Sequence, residues 1–458
     1  MIEMDLTNLK NKRVLVVGLG KSGLSAAMFL RGLGARVTVS DTRSAVALAE
    51  EIPALLDAGV MVESGGHGLL TFRRQDLIVV SPGVSLDTPE VKQVIGYGLP
   101  VIGELELASH FLKGGIIAVT GSNGKTTTTT LIGKIFTDAG KPTLVGGNIG
   151  LPVIELVAES TADTVNVLEV SSFQLETTEE FHPRIAVILN ITPDHLDRHG
   201  SFERYVAAKE KIFARQTPED ALVLNADDRT TQMCAAHAKS NVYWFSGTRV
   251  VRQGALLRDG IVCWIAREGG VAEPILPVSE IGLKGAHNVE NVLAAVCAAR
   301  LSNIPAESIR ASVAGFKAVE HRLEYVRTLA GVEFYNDSKA TNVDATMKAV
   351  ASFAGCVHLI LGGKDKDSDY TQMGELLGDR VKTVYTIGSA AEKIQRQLTG
   401  MVKIISTGTL DRAVAEAAKL AVVGDVVLLA PACSSFDQFN NYEHRGRVFR
   451  QLVMDLPG

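Results

Sequence analysis

The densest chemical signal in the chain is Val119-Thr120-Gly121-Ser122-Asn123-Gly124-Lys125-Thr126, which follows an apolar run and opens a threonine-rich segment. Glycines at such a turn let successive backbone N–H groups face an anion, and the helix that follows adds partial positive charge at its N-terminus. A lysine placed like Lys125 reaches the β and γ phosphates of a nucleotide, and Thr126 supplies a hydroxyl to Mg²⁺. Val119 stands where the usual consensus has its first glycine, so the loop is shortened, yet Gly121, Gly124 and Lys125 keep the anion nest. A second glycine turn, Gly18-Leu19-Gly20-Lys21-Ser22-Gly23, matches GxGxxG, with Asp41 at the end of the next expected strand. By residue type alone this turn fits a dinucleotide with Asp41 on the ribose, the diphosphate of a UDP-sugar, or a structural turn. The neighbouring Thr42 and Arg43 add a hydroxyl and a planar donor fork suited to a base or ribose edge.

Further polar residues stand at the ends of apolar runs. Glu169 closes Thr164–Val170, and His195 lies in the loop after Ile185–Asn190. Both are candidates for Mg²⁺ coordination, because strand ends beside a phosphate loop are where such ligands must sit. Lys209 lies on an alanine-rich helical stretch, where a lysine is ordinarily solvated. Later in the chain, Asn336–Asn342, Gly362–Lys366 and Pro431–Phe439 each follow a strand-like run. Three such loops at one sheet edge would make a cationic, hydroxyl-rich pocket for a small anionic substrate. Cys433 lies in the last of them without an accompanying His motif and reads as a buried structural thiol.

The elements that must position these groups are βα alternations. Arg13–Gly18, Arg36–Ser40 and Asp76–Val80 read as buried parallel strands, with a helix over Ser22–Leu33. Gly115–Thr120, Thr164–Val170, Ile185–Asn190 and Ala221–Asn225 form a second set, and His358–Gly362, Thr383–Gly388 and Asp425–Ala430 a third. Tyr243–Glu273, with short alternating runs and glycine turns, reads as a small antiparallel β patch. The fold class expected is α/β with three domains: Rossmann-like over 1–105, a central P-loop ATPase-like domain over 106–318 carrying the β patch, and a Rossmann-like C-terminal domain over 319–458.

Composition bounds the partners. The chain has 458 residues, 46% hydrophobic and 21% charged, with a net charge of −5, which is a globular profile without a basic field for nucleic acid or an anionic membrane. No apolar run is long enough to span a bilayer, and Met1–Lys12 has no export-signal pattern. Five well-separated cysteines without a CxxC pair argue against a disulfide framework, so a cytoplasmic location is expected.

Taken together, TGSNGKT at 120–126, GGNIG at 146–150, LEVSSFQLE at 168–176, NITPDHLDRH at 190–199, GAHNVEN at 285–291, HR at 321–322, NDSKATN at 336–342 and PACSSFDQF at 431–439 resemble the Mur ligases of peptidoglycan synthesis over essentially the whole chain. The resemblance implies ATP-dependent addition of D-glutamate to UDP-N-acetylmuramoyl-L-alanine through an acyl phosphate, by a monomer with no nucleic-acid or membrane partner. It assigns the UDP-substrate to Gly20, Lys21, Ser22, Thr42, Arg43, Gly83, Asn148 and His195, and ATP to Gly121, Ser122, Asn123, Gly124, Lys125, Thr126, Thr127, Asn291, Arg322 and Asp337. Two Mg²⁺ ions would lie around Thr126, Glu169, His195 and a carbamylated Lys209, and D-glutamate against Lys339, Thr341, Lys366, Ser435, Phe436 and Tyr442. Catalysis would fall to Lys125, Glu169, His195, Lys209 and Arg322. An NAD dehydrogenase, resting on GxGxxG and Asp41 alone, leaves the phosphate loop unexplained, and a non-catalytic ATP switch leaves Glu169 and Lys209 without a task. Other muramyl ligases and the folate polyglutamylating ligase are nearer rivals, separated by the Asp41-Thr42-Arg43 run and the C-terminal loops.

Overall fold

The computed structural model describes residues 5–317 and 319–457, so the segment ends drawn at 1, 318 and 458 lie outside the described residues. Three sheets organise the chain. The first holds β1 (Arg13–Val17), β2 (Arg36–Asp41), β3 (Met61–Ser64), β4 (Leu77–Val80) and β5 (Val101–Gly103) in the order β3-β2-β1-β4-β5, all parallel. The RVLVV and LIVV cores of β1 and β4 are buried because helices cover both faces, which is what unalternating β-branched runs require.

The second sheet contains β6 (Gly115–Thr120), β7 (Thr143–Gly147), β8 (Val165–Glu169), β9 (Ile185–Ile188), β10 (Ala221–Asn225), β11 (Asn241–Ser246), β12 (Gly254–Arg258), β13 (Ile261–Ile265) and β14 (Glu273–Pro277). Their order is β14-β13-β12-β11-β10-β9-β6-β8-β7. The chain leaves β6 for the far edge at β7 and returns beside β6 at β8 and then β9, so the loop after β6 opens between two strand ends, at a switch point of the kind where open α/β sheets bind ligands.

The expected antiparallel patch is only partly separate from this sheet. β11 pairs parallel to β10, and β12 parallel to β11; only β12, β13 and β14 run antiparallel. Helix Ala286–Leu301, apolar nearly all round and buried from Asn291 to Ala299, packs on this face together with Phe245 and Ala255, so β11 is held as one more parallel strand.

The third sheet contains β15 (Glu324–Leu329), β16 (Val332–Asn336), β17 (Val357–Gly362), β18 (Val381–Ile387), β19 (Ile404–Gly408) and β20 (Val426–Leu429), in the order β15-β16-β20-β17-β18-β19. β15 is an antiparallel edge strand and the other pairings are parallel. The loops after β16, β17 and β20 therefore leave one edge together. No helix among the described residues is long and apolar enough to cross a membrane.

Candidate active site

The phosphate loop is built around Gly124, whose φ of +86° is left-handed and whose added Cβ would stand 2.3 Å from Asn291 Oδ1. Glycine is the residue that permits both the turn and its approach to helix Ala286–Leu301. The loop is pinned from its neighbours: Asn123 N donates to Asn190 Oδ1 (2.8 Å), and Ser122 Oγ meets Thr192 O (2.8 Å) and the Tyr205 hydroxyl (3.0 Å). Lys125 Nζ donates to Gly121 O (2.8 Å) and Ser122 O (2.9 Å). Burial lowers the Lys125 pKa, opposed by the charges of Glu169 and Asp194.

Glu169 is fully buried at the end of β8. Its Oε1 accepts from Asn148 Nδ2 (2.8 Å), while Oε2 is buried with no hydrogen-bond partner. An unpartnered buried carboxylate oxygen fits a cation. No three His, Cys, Asp or Glu side chains cluster as a cation cage among the described residues, so a divalent ion here would need phosphate and water oxygens as well.

His195 adopts φ +54° at the start of the one-turn helix Leu196–His199, with its ring edge-on to Phe173 at 4.9 Å between centroids. Burial pushes its pKa down to about 4, so the imidazole is neutral at pH 7 and able to ligate a metal. Lys209 is 1% exposed. Its Nζ donates to Gly121 O (2.8 Å) and Thr120 Oγ1 (3.4 Å) and lies 4.6 Å from the Tyr205 ring centroid. Burial first, then the charge of Lys125, drives its pKa well below the usual lysine value. The solvated helix position expected locally is therefore not what the fold provides.

The third sheet presents its loops directly to this edge. Lys366 Nζ lies 3.3 Å from Asp194 Oδ1, and Asn342 Nδ2 donates to Asp194 Oδ2 (3.0 Å). Asn123 Nδ2 donates to Asp344 Oδ2 (2.5 Å), and Arg322 Nη2 to Thr126 Oγ1 (3.0 Å). Burial would raise Asp194, but Lys366 and His195 hold it down to about 2. Asp337 is pushed up to about 7 by burial despite Arg322. Lys339, lowered to about 8 by burial and then Arg322, sits 3.8 Å over the Tyr442 ring.

Three cavities meet here. One of about 360 Å³ brings together Lys125, Asn148, His195, Lys209, Thr341, Lys366, Ser435, Phe436 and Tyr442. A second, of about 180 Å³, lies on the other side of the phosphate loop and is lined by Asn123, Gly124, Thr127, Asn291, Arg322 and Asp337, with Tyr325 and Tyr335 at its apolar side. The third, a cleft of about 590 Å³, gathers Gly20, Lys21, Ser22, Thr42, Arg43, Gly83 and again Asn148. Gly121, Ser122, Thr126, Glu169 and Lys339 line none of the three, and His195 stands in the first rather than in the cleft.

In the cleft, Asp41 Oδ2 accepts from Leu19 N (2.7 Å) and Oδ1 from Arg43 N (2.8 Å), while the Arg43 guanidinium bonds both oxygens. Both carboxylate oxygens are thus taken by protein donors, which removes the ground for a ribose ligand of the dehydrogenase kind. Sequence reasoning missed Asp194, Tyr205 and Phe173 as site residues. Asp194 is adjacent to His195 in a quoted run, and its neighbourhood of strand-end polar residues was the available signal. Phe173 likewise stands in the quoted LEVSSFQLE run, whereas Tyr205 carried no signal beyond aromatic character.

A phosphate loop at a switch point, flanked by a glycine-turn domain and a loop-rich third sheet, defines a three-part nucleotide-dependent ligase, and the chain belongs to the Mur ligase family. The Mur ligase MurD-like N-terminal domain matches residues 12–103, the Mur ligase middle domain 119–299, and the Mur ligase glutamate ligase domain 321–433. The chain is 67% identical, over 97% of both chains, to a protein of Acidobacterium capsulatum named UDP-N-acetylmuramoylalanine--D-glutamate ligase, and 57% identical over 98% of both chains to one of the same name from Koribacter versatilis. Among solved structures, a pseudomurein peptide ligase type C from Methanothermus fervidus matches with a TM-score of 0.61 at 20% identity, covering 98% of this chain and 100% of that one. The MurF ligase from Thermotoga maritima in complex with ADP also gives 0.61, at 16% identity over 98% and 99% of the two chains. At these identities the structural likeness concerns the fold.

Proposed function

We propose that the chain joins D-glutamate to UDP-N-acetylmuramoyl-L-alanine with cleavage of ATP to ADP and phosphate, in the synthesis of peptidoglycan precursors. The observation that carries this is the meeting of three cavities: Asn148 lines both the glycine-turn cleft and the central cavity, and the phosphate loop separates that cavity from the one at Asn291 and Arg322. A long UDP-linked substrate in the cleft thus delivers its terminal carboxylate to the loop, with ATP on one side and the amino acid on the other.

A carboxylate is a poor electrophile at neutral pH, so it is activated first. Its oxygen attacks the γ phosphorus of ATP, ADP leaves, and an acyl phosphate forms. Lys125 and Arg322 place positive charge where the transferring phosphoryl group accumulates negative charge. The amine of D-glutamate then attacks the acyl carbon, and the tetrahedral intermediate expels phosphate. Lys366, Thr341 and Ser435 replace the hydration of the two D-glutamate carboxylates, Phe436 and Tyr442 complete that wall, and Lys339 adds positive charge from its place over the Tyr442 ring. Glu169, His195, Thr126 and a carbamylated Lys209 would hold Mg²⁺, which when bound neutralises phosphate charge. Water would hydrolyse the acyl phosphate, and the contacts of Lys366 and Asn342 with Asp194 bring the third sheet's loops over this edge, which limits its access.

The enzyme functions as a monomer in the cytoplasm; that all five cysteines are free supports this compartment. The proposed domain divisions are 1–105, 106–318 and 319–458, and the separate sheets ending at Gly103 and beginning at Gly115 and Glu324 support three units. A product assay with ATP, UDP-N-acetylmuramoyl-L-alanine and a panel of L- and D-amino acids tests the function. D-glutamate alone should yield amide and stoichiometric phosphate; preference for another amino acid would overturn the substrate assignment.

A further inference from the structure

We propose that Arg198 is a positioning residue, a strut that fixes the first domain at the orientation in which a substrate seated in its cleft reaches the phosphate loop. This rests on the function proposed above. Arg198 belongs to the one-turn helix begun by His195, but its side chain leaves the central domain: Nη1 donates to Gly83 O (3.3 Å) and Nη2 to Val84 O (2.8 Å). A planar fork meets two successive carbonyls, a match that a lysine cannot reproduce. Those carbonyls belong to the loop after β4, which is locked to the GxGxxG turn. Ser81 Oγ donates to Gly18 O (2.7 Å), and a Cβ on Gly18 would stand 2.8 Å from Val84 Cγ2. Moving the fork therefore moves the floor of the cleft.

At its other end the guanidinium is anchored inside the central domain. Nη2 also donates to Glu176 Oε2 (3.2 Å), and the group lies 4.9 Å from the centroid of the Phe173 ring. Glu176 Oε1 is 3.0 Å from His199 Nδ1, and His199 Nε2 is 3.0 Å from Ser172 Oγ. Phe173 in turn stacks on His199 and touches the edge of His195. One continuous set of contacts thus runs from the cleft to the segment bearing His195. The Arg198 side chain is only 16% exposed, whereas Lys21 to Gly150 O and Ser25 to Glu155 are exposed bonds, and the buried bond from Ile154 N to Glu104 lies at the linking helix rather than at the cleft floor. Arg198 is thus a largely shielded polar tie that runs from the cleft floor to the segment bearing His195.

Calorimetric titration with UDP and with UDP-N-acetylmuramoyl-L-alanine separates a strut from a local contact, because UDP fills the cleft alone and the full substrate spans both domains. Arg198→Met keeps the apolar stem over Phe173 and removes the fork. It should weaken the full substrate about tenfold and raise its KM similarly, with UDP affinity within about twofold of wild type and the KM for D-glutamate unchanged. Arg198→Lys should fall between. Equal weakening of both ligands, or no change in either, overturns the strut. Glu176→Gln removes the charge anchor isosterically and should give the same split in milder form, which carries the test if Arg198→Met does not fold. Failure of wild-type protein to bind the full substrate would overturn the proposed function instead.

Discussion

A lysine buried beside a second lysine is driven to release its proton, and Lys209 meets both conditions next to Lys125. A neutral amine can add CO₂, and the resulting carbamate offers oxygens and negative charge where hard cations are best held. On the proposed role, Lys209→Ala should lose on the order of a hundredfold in rate, about 3 kcal/mol of transition-state stabilisation, and added acetate should restore part of it by filling the space with a carboxylate. Steady-state rates with and without acetate at constant ionic strength check this. An alanine variant with wild-type turnover would return Lys209 to an ordinary buried amine. The local sequence showed only a lysine on an alanine-rich helix; its burial is created by Tyr205 on the same helix and by the phosphate loop from another element.

At the scale of elements, the short helix Glu104–Ser109 joins the first two sheets and turns two acidic side chains inward. Glu106 accepts from the backbone N–H groups of Glu179, Glu180 and Phe181. Glu104 Oε1 accepts from Ile154 N (2.6 Å), just beyond the GGNIG turn, while its Oε2 is buried without a partner. Burial, reinforced by Glu155, pushes Glu104 up to about 7 against an ordinary value of 4.5. Between these values the folded chain binds more protons at this group than the unfolded chain, so its contribution to stability falls as pH rises from about 4.5 to about 7. Glu104→Gln removes the titration. From pH 5 to pH 8 the variant should therefore gain on the wild type by on the order of 2 kcal/mol, read from denaturant melts at the two pH values. A constant difference would show that Glu104 is not held protonated. Nothing in GELELAS revealed this, because an acidic pair at a helix start is ordinarily a solvated complement to the helix dipole.

For the whole molecule, the consequence of bringing three sheets to one place is a division of ligands. Lys366→Ala should raise the KM for D-glutamate at least about tenfold while acyl-phosphate formation from ATP and the UDP-substrate persists, because the ammonium faces the central cavity from the third sheet. Trapping the acyl phosphate by borohydride reduction in the variant checks the split; loss of that intermediate with D-glutamate affinity intact would relocate the amino-acid pocket. Calorimetry should likewise show saturable binding of UDP-N-acetylmuramoyl-L-alanine and none of NAD, since Asp41 is occupied by Leu19 N and Arg43. Saturable NAD binding would reinstate the ribose role of Asp41.

The sequence by itself determined the parallel strands and the phosphate loop, because both are local: β-branched runs without polar alternation report burial on two faces, and a glycine turn between strand and helix reports an anion nest. It also determined the family, since the motifs recur in order along the chain. What it left open depended on pairing between distant segments. β7, β3 and β19 are short or half-exposed edge strands whose composition does not distinguish them from turns, and β11 reads as part of a separate patch because its parallel pairing with β10 rests on packing under helix Ala286–Leu301. The same holds for the site. That Lys209 is buried, that Asp194 pairs with Lys366, and that Arg198 reaches Gly83 and Val84 were decided by the tertiary structure, because burial and charge pairing are properties of elements brought together from far along the chain.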